Sequence, residues 1–251
     1  MRKILSAIVL MGLVAFNGHA QKVCAHRGMW QCEEAGYAQN SIAALRLAQE
    51  NGVWGSEFDV QLTADSIAVV NHDPSFKKLL ISGSTYKELL RYRLPNGETI
   101  PTLNEYLHQG MLSSCVLVLE IKPQSTVEAT LYLTELCVKE LRAHDLLDPS
   151  RVVFISFSYD ACKWIGANLP AFQNQYLQSD LEPEAVWADG INGIDYNWMA
   201  LRAHPEWVER AHALGMFVNV WTVDEPAQIA YMRKLGVDVI TTNTPLDSSL
   251  Y

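Results

Sequence analysis

The sequence predicts an α/β fold, a (β/α)8 TIM barrel with a small insertion after the second strand and an eighth helix that is short or missing. Eight short β-rich runs alternate with helical patterns along the chain. The length of 251 residues suits one barrel domain. No proline- or serine-rich linker divides the chain. These observations favour a single domain.

We predict that residues 1–20 are a signal peptide. A positive start, Met1-Arg2-Lys3, precedes an apolar run that is too short for a comfortable membrane span, and small residues end at Ala20. Cleavage there leaves a mature domain, residues 21–251, that is exported to the periplasm or secreted and has no stable membrane anchor. Polar residues interrupt the apolar run early, which argues against an uncleaved anchor.

The charge of the mature domain argues against a nucleic-acid partner, because 17 basic and 28 acidic residues remain, a net charge of −11. The five cysteines form no CxxC pair and no zinc-type spacing, so we expect mostly buried thiols. Whether Cys24 and Cys32 pair stays open, as does the oligomeric state.

The first predicted strand covers residues 22–25. A helix capped by Asn40 follows it, with apolar residues at helical spacing, and ends at Gly52. The second strand carries Glu57 and Asp59. Because these two acids are two residues apart on a strand, both carboxylates leave the backbone on the same face.

The predicted insertion covers about residues 73–101. It follows a short apolar run that ends in Asn71-His72-Asp73, and it contains a helical piece near residues 85–93 and a Pro95-Asn96-Gly97 turn. A capping box, Thr102-x-x-Glu105, then opens the next barrel helix.

The rest of the chain repeats strand and helix. A third strand over residues 116–121 precedes a second capping box, Ser125-x-x-Glu128, whose helix runs to about His144. Pro205 and Pro226 occupy predicted first positions of later helices. The remaining predicted strands are 152–157, 175–178, 193–196, 217–223 and 237–242. Only nine residues follow the last strand, so the eighth helix is short or absent.

Polar residues recur at the carboxyl ends of the predicted strands, which is where a barrel places its active site. The set comprises His26, Arg27, Glu57, Asp59, His72, Glu120, Lys122 and Trp221. Each motif alone has an ordinary structural explanation, such as a same-face Glu-x-Lys ion pair worth under about 1 kcal/mol. Their convergence on successive strand ends favours a site.

Three carboxylates at one barrel mouth repel one another unless a cation neutralises them. Oxygen ligands suit Ca²⁺ or Mg²⁺ better than zinc. Arg27 and Lys122 add positive charge that fits a phosphoryl group. Two histidines can take one proton and give another near neutral pH. The residues therefore predict metal-assisted cleavage of a phosphodiester.

The chain resembles the glycerophosphodiester phosphodiesterases over nearly the whole mature sequence. The motifs that carry the resemblance stand in order: His26-Arg27-Gly28, Gln39-Asn40-Ser41, Glu57-Phe58-Asp59-Val60, Leu62-Thr63-x-Asp65, His72-Asp73, Ile100-Pro101-Thr102-Leu103, Glu120-Ile121-Lys122, Trp221-Thr222-Val223 and Thr242-Asn243-x-Pro245. A match in many parts is far more specific than any one motif.

The resemblance implies hydrolysis of glycerophosphodiesters to glycerol 3-phosphate and an alcohol, through a cyclic phosphate formed by attack of a glycerol hydroxyl. It implies that His26 and His72 are the general acid and base. It also implies that one Ca²⁺ or Mg²⁺ is held by three acids, Glu57, Asp59 and Glu120. Phosphate or substrate contacts would come from Arg27, Lys122 and Trp221.

The resemblance is incomplete at two places. Gln39 stands where many members have Glu, which puts the local pairing of Arg27 in doubt. The segment after Asp73 also differs, and it would wall the substrate pocket.

Two other hypotheses stay open. The same site would act on a lysophospholipid or a phosphoinositide-type diester if the insertion formed an apolar rim. A non-catalytic protein that binds phosphate esters is the alternative of another class.

Overall fold

The computed structural model describes residues 22–247 and 250. Its strands are β1 (Lys22–Ala25), β2 (Gly55–Leu62), β3 (Ala68–Val70), β4 (Ser75–Phe76), β5 (Leu79–Leu80), β6 (Val116–Ile121), β7 (Val152–Ser156), β8 (Gln173–Tyr176), β9 (Gly193–Asn197), β10 (Phe217–Trp221) and β11 (Val239–Thr242). Eight of them pair in parallel in the order β1, β2, β6, β7, β8, β9, β10, β11, and β11 pairs again with β1. This closed ring confirms the predicted TIM barrel.

Helices connect the strands around the outside of the barrel. They are α1 (Ile42–Glu50), α2 (Tyr86–Leu89), α3 (Leu103–Gly110), α4 (Val127–Ala143), α5 (Tyr159–Asn168), α6 (Pro183–Ala188), α7 (Trp198–Ala203), α8 (Glu206–Ala213) and α9 (Pro226–Leu235). After β11, residues 243–247 and 250 form no α-helix, in agreement with the expected short or missing eighth helix.

Side-chain alternation along β2 separates the core from the site. Phe58 and Val60 point outward and pack with Leu103 and Tyr106 of α3. Glu57 and Asp59 point the other way, into the barrel. The deeper interior is apolar on the β6 and β7 side, where Val118 and other side chains form a buried cluster. The alternation of side chains along β2 thus places both carboxylates at the barrel mouth.

Two predicted helix caps were wrong by one residue. The side chain of Ser41, and not that of Asn40, accepts the backbone N–H of Ala44 at the start of α1. Likewise Thr126, and not Ser125, accepts the N–H of Ala129 at the start of α4. In each case two adjacent residues can cap a helix, and tertiary contacts decide which one does.

Other boundaries differ slightly from the prediction. β8 begins and ends two residues earlier than expected, and the helical piece of the insertion is confined to α2. Pro226 is the first residue of α9 as predicted, whereas Pro205 is the N-cap of α8. All five cysteines are free thiols; four are buried and Cys32 is half-buried.

The segment between β3 and α3 forms a small substructure beside the barrel mouth. β3 pairs antiparallel with β2, and β4 and β5 form a hairpin. Its apolar side chains make a small core of their own on Val69 of β3, with Phe76, Ile81 and Leu89 buried there. No helix within residues 22–247 and 250 has the length and apolar character to span a bilayer. The predicted signal peptide lies outside the described residues.

Candidate active site

Three acidic side chains meet at the mouth of the barrel. Glu57 and Asp59 lie on β2, and Asp59 stands directly opposite Glu120 in the register of β6. One oxygen from each carboxylate lies within 4.8 Å of the others. All three side chains are buried. The structure therefore brings together the three residues that the sequence analysis proposed as metal ligands.

The hydrogen bonding of these acids leaves room for a cation. Glu57 Oε1 is buried without a hydrogen-bond partner, and Asp59 Oδ1 and Glu120 Oε1, also buried, have only the ion pair with Lys122. Burial, together with the charge of Asp59, raises the pKa of Glu57 well above its usual range and that of Glu120 to about 8. Three buried carboxylates that repel one another and have a single lysine to share fit a hard divalent ion such as Ca²⁺ or Mg²⁺.

Lys122 and Arg27 supply positive charge on the edge of this acidic group. Lys122 Nζ lies 2.8 Å from Glu120 Oε1 and 3.3 Å from Asp59 Oδ1. Arg27 Nε lies 3.8 Å from Asp59 Oδ2. Opposing effects act on the pKa of Asp59: burial raises it, but Lys122 and other donors outweigh burial and lower it. Asp59 is therefore the acid that stays ionised most readily.

Arg27 is also held by its own backbone and by Gln39. Its backbone N–H donates to Glu57 Oε2 at 2.7 Å, and its Nη1 donates to Gln39 Oε1 at 2.6 Å. The amide of Gln39 thus still orients the guanidinium. Because an amide carries no charge, Gln39 does not neutralise Arg27, and the positive charge remains available to an anionic ligand.

The hydrogen bonds around His26 define which ring nitrogen carries its proton. His26 Nδ1 lies 2.9 Å from Asn243 Oδ1, and the Nδ2 of that same amide donates to Asp224 Oδ2 at 2.8 Å. The Asn243 oxygen must accept, so His26 Nδ1 donates and Nε2 keeps its lone pair. Burial and the neighbouring Arg27 lower the pKa of His26 to about 4. The ring is therefore a neutral base at neutral pH.

His72 lies on the more open side of the site. Its Nδ1 is 2.8 Å from Asp73 Oδ1. The backbone there is fixed by Gln61, whose Nε2 lies 2.7 Å from the Asn71 carbonyl and 2.6 Å from the Asp73 carbonyl. Since the His72 side chain is 37% exposed, it can exchange protons with solvent.

One cavity of about 180 Å³ borders most of these groups, whereas Asp59 and Lys122 are not among its lining residues. Its polar wall contains His26, Arg27, Glu57, His72 and Glu120. Its lining also includes four apolar side chains and three further polar ones: Ile155, Phe157, Leu177, Trp221, Asp195, Thr222 and Thr241. The Trp221 ring packs edge-on against Phe157 at 5.6 Å and donates its Nε1–H to the backbone oxygen of Asp195 at 2.8 Å. The cavity therefore offers charged and polar groups, together with an apolar surface, to a small anionic ligand.

Comparison with known proteins identifies the family. The model of the glycerophosphoryl diester phosphodiesterase family matches residues 26–247. The chain belongs to this family.

The crystal structure of a glycerophosphodiester phosphodiesterase from Parabacteroides distasonis is 41% identical, with a TM-score of 0.86, over 90% of this chain and 94% of that one. A phosphodiesterase from Oleispira antarctica, solved with the product sn-glycerol-3-phosphate, is 26% identical with a TM-score of 0.78, over 92% of this chain and 97% of that one. The glycerophosphodiester phosphodiesterase of Bacillus altitudinis is 28% identical over 89% of this chain and 95% of its own length.

The sequence analysis gave no site role to Asn40 or Asn243, although both stand in motifs that carry the resemblance to the family. Asn40 Nδ2 donates to Asp59 Oδ2 at 2.8 Å, and Asn40 Oδ1 accepts the Asp59 backbone N–H at 3.2 Å. Asn243 orients His26, as described above. The position of Asn243, directly after the last barrel strand, could have suggested a site role. Its hydrogen-bond partner could not be predicted, because that partner lies in a distant part of the chain.

Proposed function

We propose that this chain is an exported, cation-dependent glycerophosphodiester phosphodiesterase that releases glycerol 3-phosphate and an alcohol. Membership of the family supports the activity. The observation that supports the dependence on a cation is the group of three buried carboxylates whose oxygens lie within 4.8 Å of one another, with only Lys122 paired to two of these oxygens. Export rests on the predicted signal peptide alone.

Glu57, Asp59 and Glu120 would hold one Ca²⁺ or Mg²⁺. When bound, such an ion supplies Lewis-acid stabilisation of negative charge on the phosphoryl and attacking oxygens. Arg27 and Lys122 border the same acids and would contact the remaining phosphoryl oxygens. Because the side chains of Arg27 and Lys122 have fixed carboxylate or amide partners, they are oriented before the substrate arrives.

Two differences between the histidines support separate roles for them. His26 is neutral and presents Nε2, so it is suited to remove the proton from a glycerol hydroxyl as that oxygen attacks phosphorus. His72 faces solvent across the same cavity and would give a proton to the leaving alcohol oxygen. In the second stage, opening of the cyclic phosphate by water needs the same groups in reversed roles.

The surface beside the cavity favours a water-soluble diester over a lipid. Most of the larger apolar side chains of the insertion pack in its own small core. Leu80, at the hairpin, is exposed. Lys77 and Lys78 are exposed at the same hairpin. A rim of this composition is polar and basic. Its polar character supports a water-soluble glycerophosphodiester ahead of a lysophospholipid.

The direct test is to incubate residues 21–251 with glycerophosphocholine and glycerophosphoethanolamine, with and without EDTA, and to measure glycerol 3-phosphate. We expect release that EDTA abolishes and that added Ca²⁺ or Mg²⁺ restores. His26→Ala and His72→Ala should lose at least about 100-fold in kcat. His108→Ala, which changes an exposed histidine on α3, is the matched control.

Two results would count against the proposal. Failure of the wild type to release glycerol 3-phosphate from any such diester would favour a non-catalytic phosphate-ester-binding protein. Turnover that EDTA does not reduce would contradict the proposal that the three acids hold a cation needed for catalysis. Fractionation of cells expressing the full chain tests export, since retention with the cytoplasmic fraction would contradict the predicted signal peptide.

A further inference from the structure

A second polar group lies inside the barrel below the acids. Four neighbouring strands each contribute one buried polar residue to this group: Gln175 on β8, Asp195 on β9, Asn219 on β10 and Thr241 on β11. On the other side of the interior, Val118 and Ile155 are apolar. A buried polar layer requires hydrogen-bond partners, so the donors and acceptors of this layer can be counted.

Both polar side-chain atoms of Asn219 have partners. Its Oδ1 accepts from Thr241 Oγ1 at 3.1 Å and from the Val220 backbone N–H at 2.8 Å. Its Nδ2 donates to Asp195 Oδ2 at 3.1 Å. These contacts fix the amide orientation and hold one oxygen of Asp195 against the barrel wall.

The count is incomplete for Asp195 and Gln175. Asp195 Oδ1 is buried and has no partner, and neither does the Oε1 or Nε2 of Gln175. Gln175 pairs in register with Gly193, and a Cβ on that glycine would lie 2.7 Å from Gln175 Cγ. The glycine therefore makes room for the Gln175 side chain beside β9, the strand that carries Asp195.

Asp195 is one of the residues that line the cavity of the active site, together with Glu57, Glu120 and Thr241. No basic side chain in residues 22–247 and 250 forms a salt bridge with Asp195. The other members of the layer are neutral. A neutral group that both donates and accepts a hydrogen bond fits such surroundings, and an alcohol hydroxyl is the simplest group of this kind.

We propose that Asp195 Oδ1 binds the free terminal hydroxyl of the glycerol group of the substrate. This inference rests on the proposed function, because that function places a glycerol phosphodiester in the cavity. Asp195 is then a residue that determines specificity for glycerol-containing diesters. Asn219 positions it by fixing its second oxygen.

The test compares two substrates on two enzymes. One substrate is glycerophosphoethanolamine. The other carries propane-1,2-diol in place of glycerol, so it keeps the attacking hydroxyl and lacks the terminal one. For the wild type we expect kcat/KM to be at least about tenfold higher with the glycerol substrate, because its analogue leaves a buried polar group unpaired. For Asp195→Leu we expect this preference to fall to within about twofold.

Two further variants guard against a general loss of structure. Asp195→Asn keeps the size of the side chain and should show an intermediate preference. Asn174→Leu makes the same polar-to-apolar change on β8 at a buried residue that bonds to the Cys162 carbonyl, away from the cavity, and should retain the wild-type preference.

The inference is overturned if Asp195→Leu and Asp195→Asn both keep the full wild-type preference. It is also overturned if the wild type does not discriminate between the two substrates. If the wild type turns over neither substrate, the proposed function fails. Calorimetric binding of sn-glycerol 3-phosphate and of propane-1,2-diol phosphate to the wild type and Asp195→Leu then decides the inference by the same loss of preference.

Discussion

At the scale of single residues, the site depends on two non-glycine residues with left-handed backbone after β1. Arg27 has φ 58° and Asn40 has φ 56°. Such a conformation is uncommon outside glycine and costs about 1 kcal/mol or more, although Asn adopts it more readily than most residues. At Arg27 it directs the backbone N–H to Glu57, and at Asn40 it directs the amide to Asp59. The local strain is thus offset by contacts with two of the proposed metal ligands.

Replacing Asn40 by Gly should weaken cation binding without disturbing the loop. Glycine accepts the positive φ, so the substitution removes only the amide that orients Asp59. Loss of a group that orients a ligand typically costs about 10 to 100-fold in metal affinity. Calorimetric titration of the wild type and Asn40→Gly with Ca²⁺ and Mg²⁺ measures this loss of affinity.

Ser66→Gly is the control for this prediction, because Ser66 also has positive φ, at 61°, and lies exposed between β2 and β3. Equal affinities for the wild type and Asn40→Gly would mean that Asp59 is held without Asn40.

At the scale of elements, the N-terminus of α4 shows that a sequence pattern can leave the position of a helix cap uncertain by one residue. Ser125 and Thr126 are both good caps, and the sequence pattern favoured Ser125 because Glu128 completes a capping box with it. In the fold, Thr126 occupies the cap, and its carbonyl also accepts from Thr130 Oγ1 at 3.0 Å. The structure thus places the start of α4 at one of two adjacent candidates between which the local sequence does not decide.

Alanine substitutions at these two positions should therefore differ. Thr126→Ala removes the bond to Ala129 and should destabilise the protein by about 1 kcal/mol, which lowers the unfolding midpoint by about 2 to 4 °C. Ser125→Ala should shift the midpoint by less than about 1 °C, since an exposed residue outside a cap contributes little. Thermal unfolding followed by circular dichroism separates them, and equal shifts would contradict the assignment of the cap.

A second element-scale contact should make stability depend on pH. His212 near the end of α8 bonds through Nε2 to Asp238 Oδ2 at 3.0 Å, and this same oxygen accepts the Val218 backbone N–H at 2.8 Å. The bond to Asp238 raises the pKa of His212 above 6.5. The stabilisation is therefore complete below pH 6.5 and is lost as the pH rises through the folded-state pKa.

His212→Gln should remove this part of the pH dependence. Between pH 6 and about pH 8, the unfolding midpoint of the wild type should fall more than that of the variant, because glutamine keeps a neutral donor but does not titrate. The difference between the two midpoints, measured at several pH values, is the readout. A constant difference across this range would show that the histidine charge has no effect on stability.

At the scale of the whole molecule, barrel closure assembles the site. Glu57 and Asp59 come from β2, Glu120 and Lys122 from β6 and its end, and His26 from the end of β1. Because parallel strands in a closed barrel end at one rim, residues far apart in sequence meet there without any loop reaching across the barrel. The burial that raises the pKa of two of the acids is a consequence of the same closure.

A cation that binds only the folded barrel should stabilise the whole domain. At a free concentration about 100 times the Kd, the gain is about 2.7 kcal/mol, which corresponds to a rise of about 5 to 10 °C in the unfolding midpoint. Glu57→Gln should lose this response, because it removes a ligand charge. Scans of both proteins with EDTA and with Ca²⁺ or Mg²⁺ measure the effect, and identical shifts in the two proteins would exclude Glu57 as a ligand.

The sequence by itself determined the barrel and the set of side chains at its mouth. Alternation along a strand has a period of two, so Glu57 and Asp59 had to share a face, and strand ends in a parallel barrel had to share a rim. The tertiary structure decided what each polar atom contacts. The proton of His26 is fixed by an amide 217 residues away, and Asp195 emerged as part of the site only when its strand closed against its neighbours. Periodicity is a local property of the chain, whereas hydrogen-bond partners are set by the packing of distant segments.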